Sequence, residues 1–188
     1  MTAPTMTELL ERAYLTTGAT LRAIDAHRLA APSPCTGWTV GEVAGHLADA
    51  HDIFARVLEG DDVDFADPGG AHDADPAVAY GERTERCLAA LAAPGVLERV
   101  FPFAFGPAPG ALIAQISLSE TLIHGWDVAR GAGVGYEPDP AVVEAVADFQ
   151  SQSSGDDPAR EGMFAPPVPA PDDASPLVRL LAHLGRRA

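Results

Sequence analysis

The sequence contains no lysine and no asparagine, so all 12 of its cationic side chains are arginines. They are outnumbered by 27 acidic side chains, and the formal net charge at pH 7 is −15. Nucleic-acid binding requires clustered cations that neutralise phosphates, and attachment to an anionic membrane surface requires the same. We therefore expect neither nucleic acid nor a membrane surface as a partner.

Cysteine and long apolar runs are also scarce. Cys35 and Cys87 are far apart and form no CxxC pattern, which excludes a disulfide framework and a zinc site built from cysteines. The first turns of the chain carry Glu8, Glu11 and Arg12, so no signal peptide is predicted. The sequence has no uninterrupted apolar stretch of about 18 residues, so we expect no membrane-spanning helix. We expect a cytoplasmic protein with reduced thiols.

Hydrophobic residues make up 47% of the chain, and their spacing predicts helices and no strand. Thr5 with Glu8, and Thr39 with Glu42, form capping-box patterns at two helix starts. The six predicted helices are Met6–Leu29, a second between Thr39 and Gly60, a third from Asp75-Pro76 to Pro94-Gly95, a fourth over about Pro109–Ala129, a fifth opened by Asp139-Pro140, and a last one from Ser175-Pro176 to Gly185. They predict an all-α fold, with a four-helix bundle over residues 1–135. Residues 136–188 form a short helical and proline-rich C-terminal extension, which packs on the bundle and is not an independent domain.

The fourth helix carries the main chemical signal. Between Gly110 and Trp126 its only charged residue is Glu120, and apolar residues surround it on most sides. Burying an isolated carboxylate is costly unless it is paired or bound to a metal. His124 follows one turn later on the same face, and His46 on the second helix is the leading candidate for a third ligand.

Two imidazoles and one carboxylate suit Zn²⁺ with one position left open, and they also serve other divalent ions such as Fe²⁺ or Ni²⁺. The residues alone leave two interpretations open. One is a metal site of His46, Glu120 and His124. The other is a hydrogen-bonded Glu–His pair in the core, with His46 as an ordinary core histidine.

Other polar residues near these candidates have weaker signals. Asp49 and Asp127 each follow a candidate histidine by three residues, and either could accept a hydrogen bond from its ring. His51 is expected at the surface, because it lies five residues after His46. Cys35 is expected to be a loop thiol without the basic neighbours that a reactive thiolate needs. The remaining histidines, His27, His72 and His183, are expected to be solvated.

Three sequence runs resemble a known family. Residues 33–40 (SPCTGWTV) with 43–47 (VAGHL), and residues 120–127 (ETLIHGWD), resemble the signatures of the mycothiol-dependent maleylpyruvate isomerase metal-binding domain, within the DinB-like superfamily. Residues 162–169 (GMFAPPVP) with 172–184 are similar to an uncharacterised actinobacterial subgroup. The resemblance implies a DinB-like four-helix bundle and a divalent metal, usually zinc, bound by His46, Glu120 and His124 at one end of the core.

The resemblance also implies a class of activity. It suggests a thiol-dependent S-transferase or isomerase in which the metal activates mycothiol or a similar thiol. The candidate partners are that thiol, an electrophilic substrate and, in a homodimer, a second copy of the chain. The isomerase itself has a separate C-terminal domain that contributes to its active site, so specific activity on maleylpyruvate is not expected. The alternatives are a metal-dependent hydrolase and a non-catalytic metal-binding protein or sensor.

Overall fold

The computed structural model describes residues 3–65, 75–152 and 164–188. Within these ranges the elements are α1 (Met6–Arg22), a 3-10 turn (Ala26–Arg28), α2 (Val40–Glu59), α3 (Pro76–Leu91), β1 (Val100–Phe101), β2 (Ala108–Pro109), α4 (Gly110–Ala132), α5 (Pro140–Ser151) and α6 (Pro176–His183). The predicted all-α fold is confirmed. The short antiparallel hairpin of β1 and β2 was not predicted, because its two-residue strands are too short to show an alternating pattern.

The four long helices form a bundle. α1 packs against α3 and α4, and α2 packs against the same two helices. The buried apolar side chains form two clusters. The smaller cluster lies where α2 begins and α4 ends, and includes Val40, Leu47, Val128 and Ala132. This end of the bundle also carries the candidate ligands.

Both predicted capping boxes are confirmed. At the start of α2, the Glu42 backbone N–H donates to the Thr39 hydroxyl at 3.2 Å, and the Thr39 backbone N–H donates to the Glu42 carboxylate at 2.7 Å. Thr5 and Glu8 make the same pair of contacts at the start of α1. Such caps satisfy backbone donors that otherwise lack partners, so the first turns of both helices are well fixed.

The first helix is shorter than predicted. α1 ends at Arg22, and a separate 3-10 turn follows where the sequence pattern predicted helix up to Leu29. The chain turns here because its backbone pairs with the start of α2, where the Gly41 N–H donates to the Leu29 carbonyl at 2.8 Å. The Arg28 guanidinium also donates to the Ala132 carbonyl at the end of α4.

The loop between α1 and α2 is held in one shape by its own backbone. The Val40 N–H donates to the Ala31 carbonyl at 2.9 Å, and the Ser33 N–H donates to the Trp38 carbonyl at 3.0 Å. Gly37 makes the turn with a φ of 83°, a conformation that favours glycine. The loop therefore presents Cys35 and Trp38 at defined positions beside the bundle.

The C-terminal extension lies against the bundle through α5, which packs on α4 and α1, while α6 packs on α5. The end of the chain is fixed by two backbone bonds, from the Val168 N–H to the Ala182 carbonyl at 2.9 Å and from the Arg186 N–H to the Leu181 carbonyl at 2.8 Å. The division at residue 135 into bundle and dependent extension stays a prediction. Among the described helices, none combines the length and the apolar character needed to cross a membrane.

Candidate metal centre

His46, Glu120 and His124 lie together where α2 and α4 face each other. The Nε2 atom of His46 is 3.2 Å from Glu120 Oε2, and the Nε2 atom of His124 is 3.3 Å from the same oxygen. The two imidazole rings stand edge to face with centroids 5.2 Å apart. Both ring nitrogens therefore point toward one carboxylate oxygen, so all three donor atoms converge on a small volume.

The cluster opens toward solvent. The exposed fractions of the side chains are 37% for His46, 24% for Glu120 and 17% for His124. The sequence predicted a buried Glu120 in need of a partner, and the structure gives it two imidazole partners but leaves it partly exposed. Trp38, which is 42% exposed, stands edge-on to His46 with a ring-centroid distance of 5.2 Å. A small molecule can therefore reach the three donors beside an indole ring.

The other ring nitrogen of His124 has a different environment. Its Nδ1 atom is 2.9 Å from Oδ2 of Asp127, whose side chain is fully buried. Arg186, near the end of the chain, donates to both oxygens of Asp127, from Nε at 2.9 Å and from Nη2 at 2.8 Å. Because Asp127 is held as a carboxylate, His124 donates through Nδ1. Its Nε2 atom is thereby left to face Glu120 and His46.

Cys35 also belongs to this group, contrary to the expectation of an isolated loop thiol. Its Sγ atom is 3.2 Å from Asp127 Oδ2 and 3.6 Å from His124 Nδ1. The loop geometry around Gly37 brings it there. The thiol donates to the carboxylate and has basic neighbours in His124 and Arg186.

Among the described residues, two groups of three potential ligands have donor atoms within 4.8 Å of one another. One is His46, Glu120 and His124, and the other is Cys35, His124 and Asp127. In the second group the carboxylate already accepts two bonds from the Arg186 guanidinium, so a cation there would lie against a fixed positive charge. In the first group the Glu120 carboxylate is paired with two imidazoles instead, which makes it the better candidate metal centre.

The charges of the group stabilise one another. Burial alone raises the pKa of Glu120, but hydrogen bonds from His124 and His46 outweigh it and hold that pKa well below its usual range. Burial lowers the pKa of His124, but Asp127, Cys35 and Glu120 together raise it well above its ordinary value. In Asp127 the hydrogen bonds from His124 and Arg186 outweigh burial and lower the pKa of the carboxyl. The site thus favours ionised carboxylates, the form that a metal ligand requires.

Some of the sequence predictions about nearby residues were wrong. His51 is fully buried, not at the surface: its Nδ1 donates to the Leu47 carbonyl at 2.6 Å, and its Nε2 accepts from the Thr121 hydroxyl at 3.0 Å. With both nitrogens engaged, it offers no fourth ligand. Asp49 pairs with Arg83 at 2.7 Å and is not the acceptor for His46. His27 and His183 are exposed as predicted, and His72 lies outside the described residues.

Two residues of the site, Cys35 and Arg186, were missed by the sequence reasoning. Cys35 stands within the run 33–40 that carries the family resemblance, and this was a signal that could have been used. Arg186 is 59 residues from Asp127 along the chain and forms no motif with it. Only the folded extension brings them together.

Comparisons with known proteins agree with the family resemblance of the sequence runs. The chain is 28% identical over 180 residues to two proteins of Mycobacterium tuberculosis, "Uncharacterized protein Rv0738" of strain H37Rv and "Uncharacterized protein MT0763" of strain CDC 1551, covering 94% of each chain. No solved structure matches. Residues 10–129, which include all three candidate ligands, match the model of the mycothiol maleylpyruvate isomerase N-terminal domain. The resemblance inferred from the sequence runs is confirmed, and the chain belongs to the mycothiol maleylpyruvate isomerase N-terminal domain family.

Proposed function

We propose that the protein binds one divalent metal ion, preferentially Zn²⁺, through His46, Glu120 and His124, and that it is a thiol-dependent S-transferase or isomerase. The observation that carries the proposal is the convergence of His46 Nε2 and His124 Nε2 on Glu120 Oε2, at 3.2 and 3.3 Å. Ni²⁺ and Fe²⁺ are accepted by the same ligand types.

The residues fit such an ion in three respects. Two imidazoles and one carboxylate form a donor set typical of a catalytic zinc site, which keeps one position for a small molecule. His124 donates through Nδ1 to Asp127, the arrangement that leaves the other nitrogen of a ligand histidine free. The donors are also partly exposed, as entry of an ion and a substrate requires.

A zinc ion bound there would supply positive charge that lowers the pKa of a coordinated thiol, so that thiolate forms near neutral pH. The protein's own groups complete this chemistry. His46 and His124 must be neutral to act as ligands, so we expect metal affinity to rise with pH. Trp38 offers an aromatic edge beside the open side of the site. The family match supports mycothiol as the thiol.

Metal content of the untagged full-length protein tests the first half of the proposal. We expect about one zinc per chain by elemental mass spectrometry, and loss of that zinc in His46→Ala and Glu120→Ala. The matched control is His27→Ala, which removes an exposed histidine and should keep the metal. Protein that neither carries a metal nor takes up Zn²⁺, Ni²⁺ or Fe²⁺ on titration contradicts the proposal.

The thiol is tested on Co²⁺-substituted protein. Mycothiol that coordinates the ion will produce a thiolate-to-cobalt charge-transfer band, which Glu120→Ala will lack because it holds no metal. Glutathione serves as a comparison thiol of different structure. If neither thiol changes the cobalt spectrum, the metal-dependent hydrolase or the non-catalytic metal-binding protein becomes the better assignment. An assay for hydrolysis of activated esters then distinguishes these two.

A further inference from the structure

We propose that Arg186 is a positioning residue for the metal site, acting on His124 through Asp127, so that the C-terminal extension completes a site whose ligands all lie in the bundle. This inference rests on the proposed function, since it concerns the ligand role of His124. Arg186 donates to Asp127, and its effect on the site passes through this carboxylate to the His124 ring.

The chain of contacts is short and almost entirely buried. Arg186 is 13% exposed and Asp127 is not exposed at all. The guanidinium donates to both carboxylate oxygens, at 2.9 and 2.8 Å, and Oδ2 also lies 2.9 Å from His124 Nδ1. A planar guanidinium that uses two donors fixes the plane of a carboxylate as well as its place. The position of Asp127, which accepts from His124, therefore depends on Arg186 near the end of the chain.

Asp127 needs this partner. A carboxylate without exposure is costly unless it is paired, and removal of one member of a buried ion pair leaves the other uncompensated. Among the described residues, the hydrogen-bond partners that the Asp127 carboxylate then keeps are the His124 ring and the weak Cys35 thiol donor. We expect Asp127 then to move toward solvent, so that the imidazole loses its fixed acceptor.

The extension holds Arg186 by contacts of its own. The backbone N–H of Arg186 donates to the Leu181 carbonyl at 2.8 Å. Gly185, just before it, turns the chain with a φ of 81°. The guanidinium also lies over the Phe164 ring, 6.0 Å from its centroid. Arg186 therefore reaches Asp127 from a supported position, as a residue that orients another group must.

The test compares Arg186→Gln with Arg187→Gln in the full-length protein. The two substitutions remove the same charge from adjacent positions, but Arg187 is exposed whereas Arg186 is only 13% exposed and pairs with Asp127. Metal is removed with a chelator, and each protein is titrated with Co²⁺ while the d–d absorption is recorded, with Zn²⁺ affinity measured by competition. Arg186→Lys keeps one positive charge without the paired donors, and it serves if Arg186→Gln fails to fold.

We expect Arg186→Gln to weaken Zn²⁺ binding about 10-fold or more, in the range measured for residues that orient metal ligands. Its Co²⁺ spectrum should shift in position or intensity, because the His124 ring is no longer fixed; a general loss of stability would not move the spectrum. Arg186→Lys should recover part of the affinity, and Arg187→Gln should match the unchanged protein.

Two outcomes overturn the inference in distinguishable ways. If the unchanged protein binds metal and Arg186→Gln binds it with the same affinity and spectrum, the metal site stands and the positioning role is wrong. If the unchanged protein binds no metal, the proposed function fails and the inference fails with it.

Discussion

At the scale of single residues, His124 has two different environments at its two ring nitrogens. Nε2 faces Glu120 beside His46, and Nδ1 faces Asp127 beside Cys35. Because Arg186 keeps Asp127 ionised, the proton of a neutral His124 belongs on Nδ1. One imidazole thus joins the candidate ligands to the buried support behind them.

His51 lies in the same bundle, but its pKa is shifted in the opposite direction from that of His124. It is fully buried among Tyr14, Phe54 and Tyr80, whose rings stand edge-on to it. Burial lowers the pKa of His51 to about 4, although the hydrogen bond with the Leu47 carbonyl works against this. The residue is therefore neutral in the folded protein over the whole physiological range.

This difference gives a pH prediction. Between pH 6.5 and 4 the unfolded chain protonates His51 while the folded protein does not, so acid favours unfolding. The contribution of His51 is complete above pH 6.5 and falls by about 3 kcal/mol on acidification to pH 4. We expect denaturant unfolding of metal-free protein to show this loss, and His51→Gln to lack it.

The matched control for that series is His183→Gln, which removes an exposed histidine and should retain the full pH dependence. Equal slopes of unfolding free energy against pH in His51→Gln and the unchanged protein would show that His51 does not resist protonation.

At the scale of elements, the C-terminal extension contributes Arg186 to a site whose candidate ligands lie on α2 and α4. Its last turn passes close to the segment before α6. A Cβ atom at Gly185 would come within 2.6 Å of Ala165 Cβ and 2.7 Å of the Ala165 carbonyl oxygen. The φ of 81° is unfavourable for other residues as well. Glycine is thus required where the chain turns toward Asp127.

We therefore expect Gly185→Ala to lower the free energy of unfolding by about 1–3 kcal/mol, which is the cost of backbone strain at such a position. We also expect it to weaken metal binding, because it displaces the segment that carries Arg186. Thermal unfolding and Co²⁺ titration measure the two effects. Gly135→Ala is the control, because its Cβ would meet nothing within 4 Å. A Gly185→Ala protein as stable as that control contradicts the packing described.

The elements differ in how far the sequence could predict them. The capping boxes and the apolar face of α4 are local patterns, and they correctly predicted where α2 begins and that Glu120 and His124 share a face. His51 was misplaced because a spacing of five residues from His46 shows only that the two side chains point in different directions. It does not show which helices pack around His51. The role of Arg186 could not be predicted because an ion pair between residues 59 positions apart produces no pattern in the sequence.

At the scale of the whole molecule, metal binding and folding should be coupled. The ligands come from α2 and α4, two helices that pack together in the bundle. An ion that binds only the folded arrangement stabilises it by mass action. At a free Zn²⁺ concentration 100-fold above the dissociation constant, the gain is about 2.7 kcal/mol.

For a chain of this length such a gain corresponds to a rise in the unfolding temperature of about 5–10 °C. We expect this rise on adding Zn²⁺ to metal-free protein, and its absence in Glu120→Ala. Glu144→Ala, which removes an exposed carboxylate from α5, should respond like the unchanged protein. A zinc-induced rise of the same size in Glu120→Ala would place the ion elsewhere.

The measurement that tests the central claim most directly is X-ray absorption spectroscopy at the zinc edge of the stoichiometrically loaded full-length protein. Ligation by His46, Glu120 and His124 predicts nitrogen and oxygen neighbours at about 2.0–2.1 Å with imidazole outer-shell scattering, and no sulfur. A sulfur neighbour at about 2.3 Å in thiol-free buffer would instead show that the ion takes Cys35 as a ligand, and it would contradict the assignment of the metal centre made from the structure.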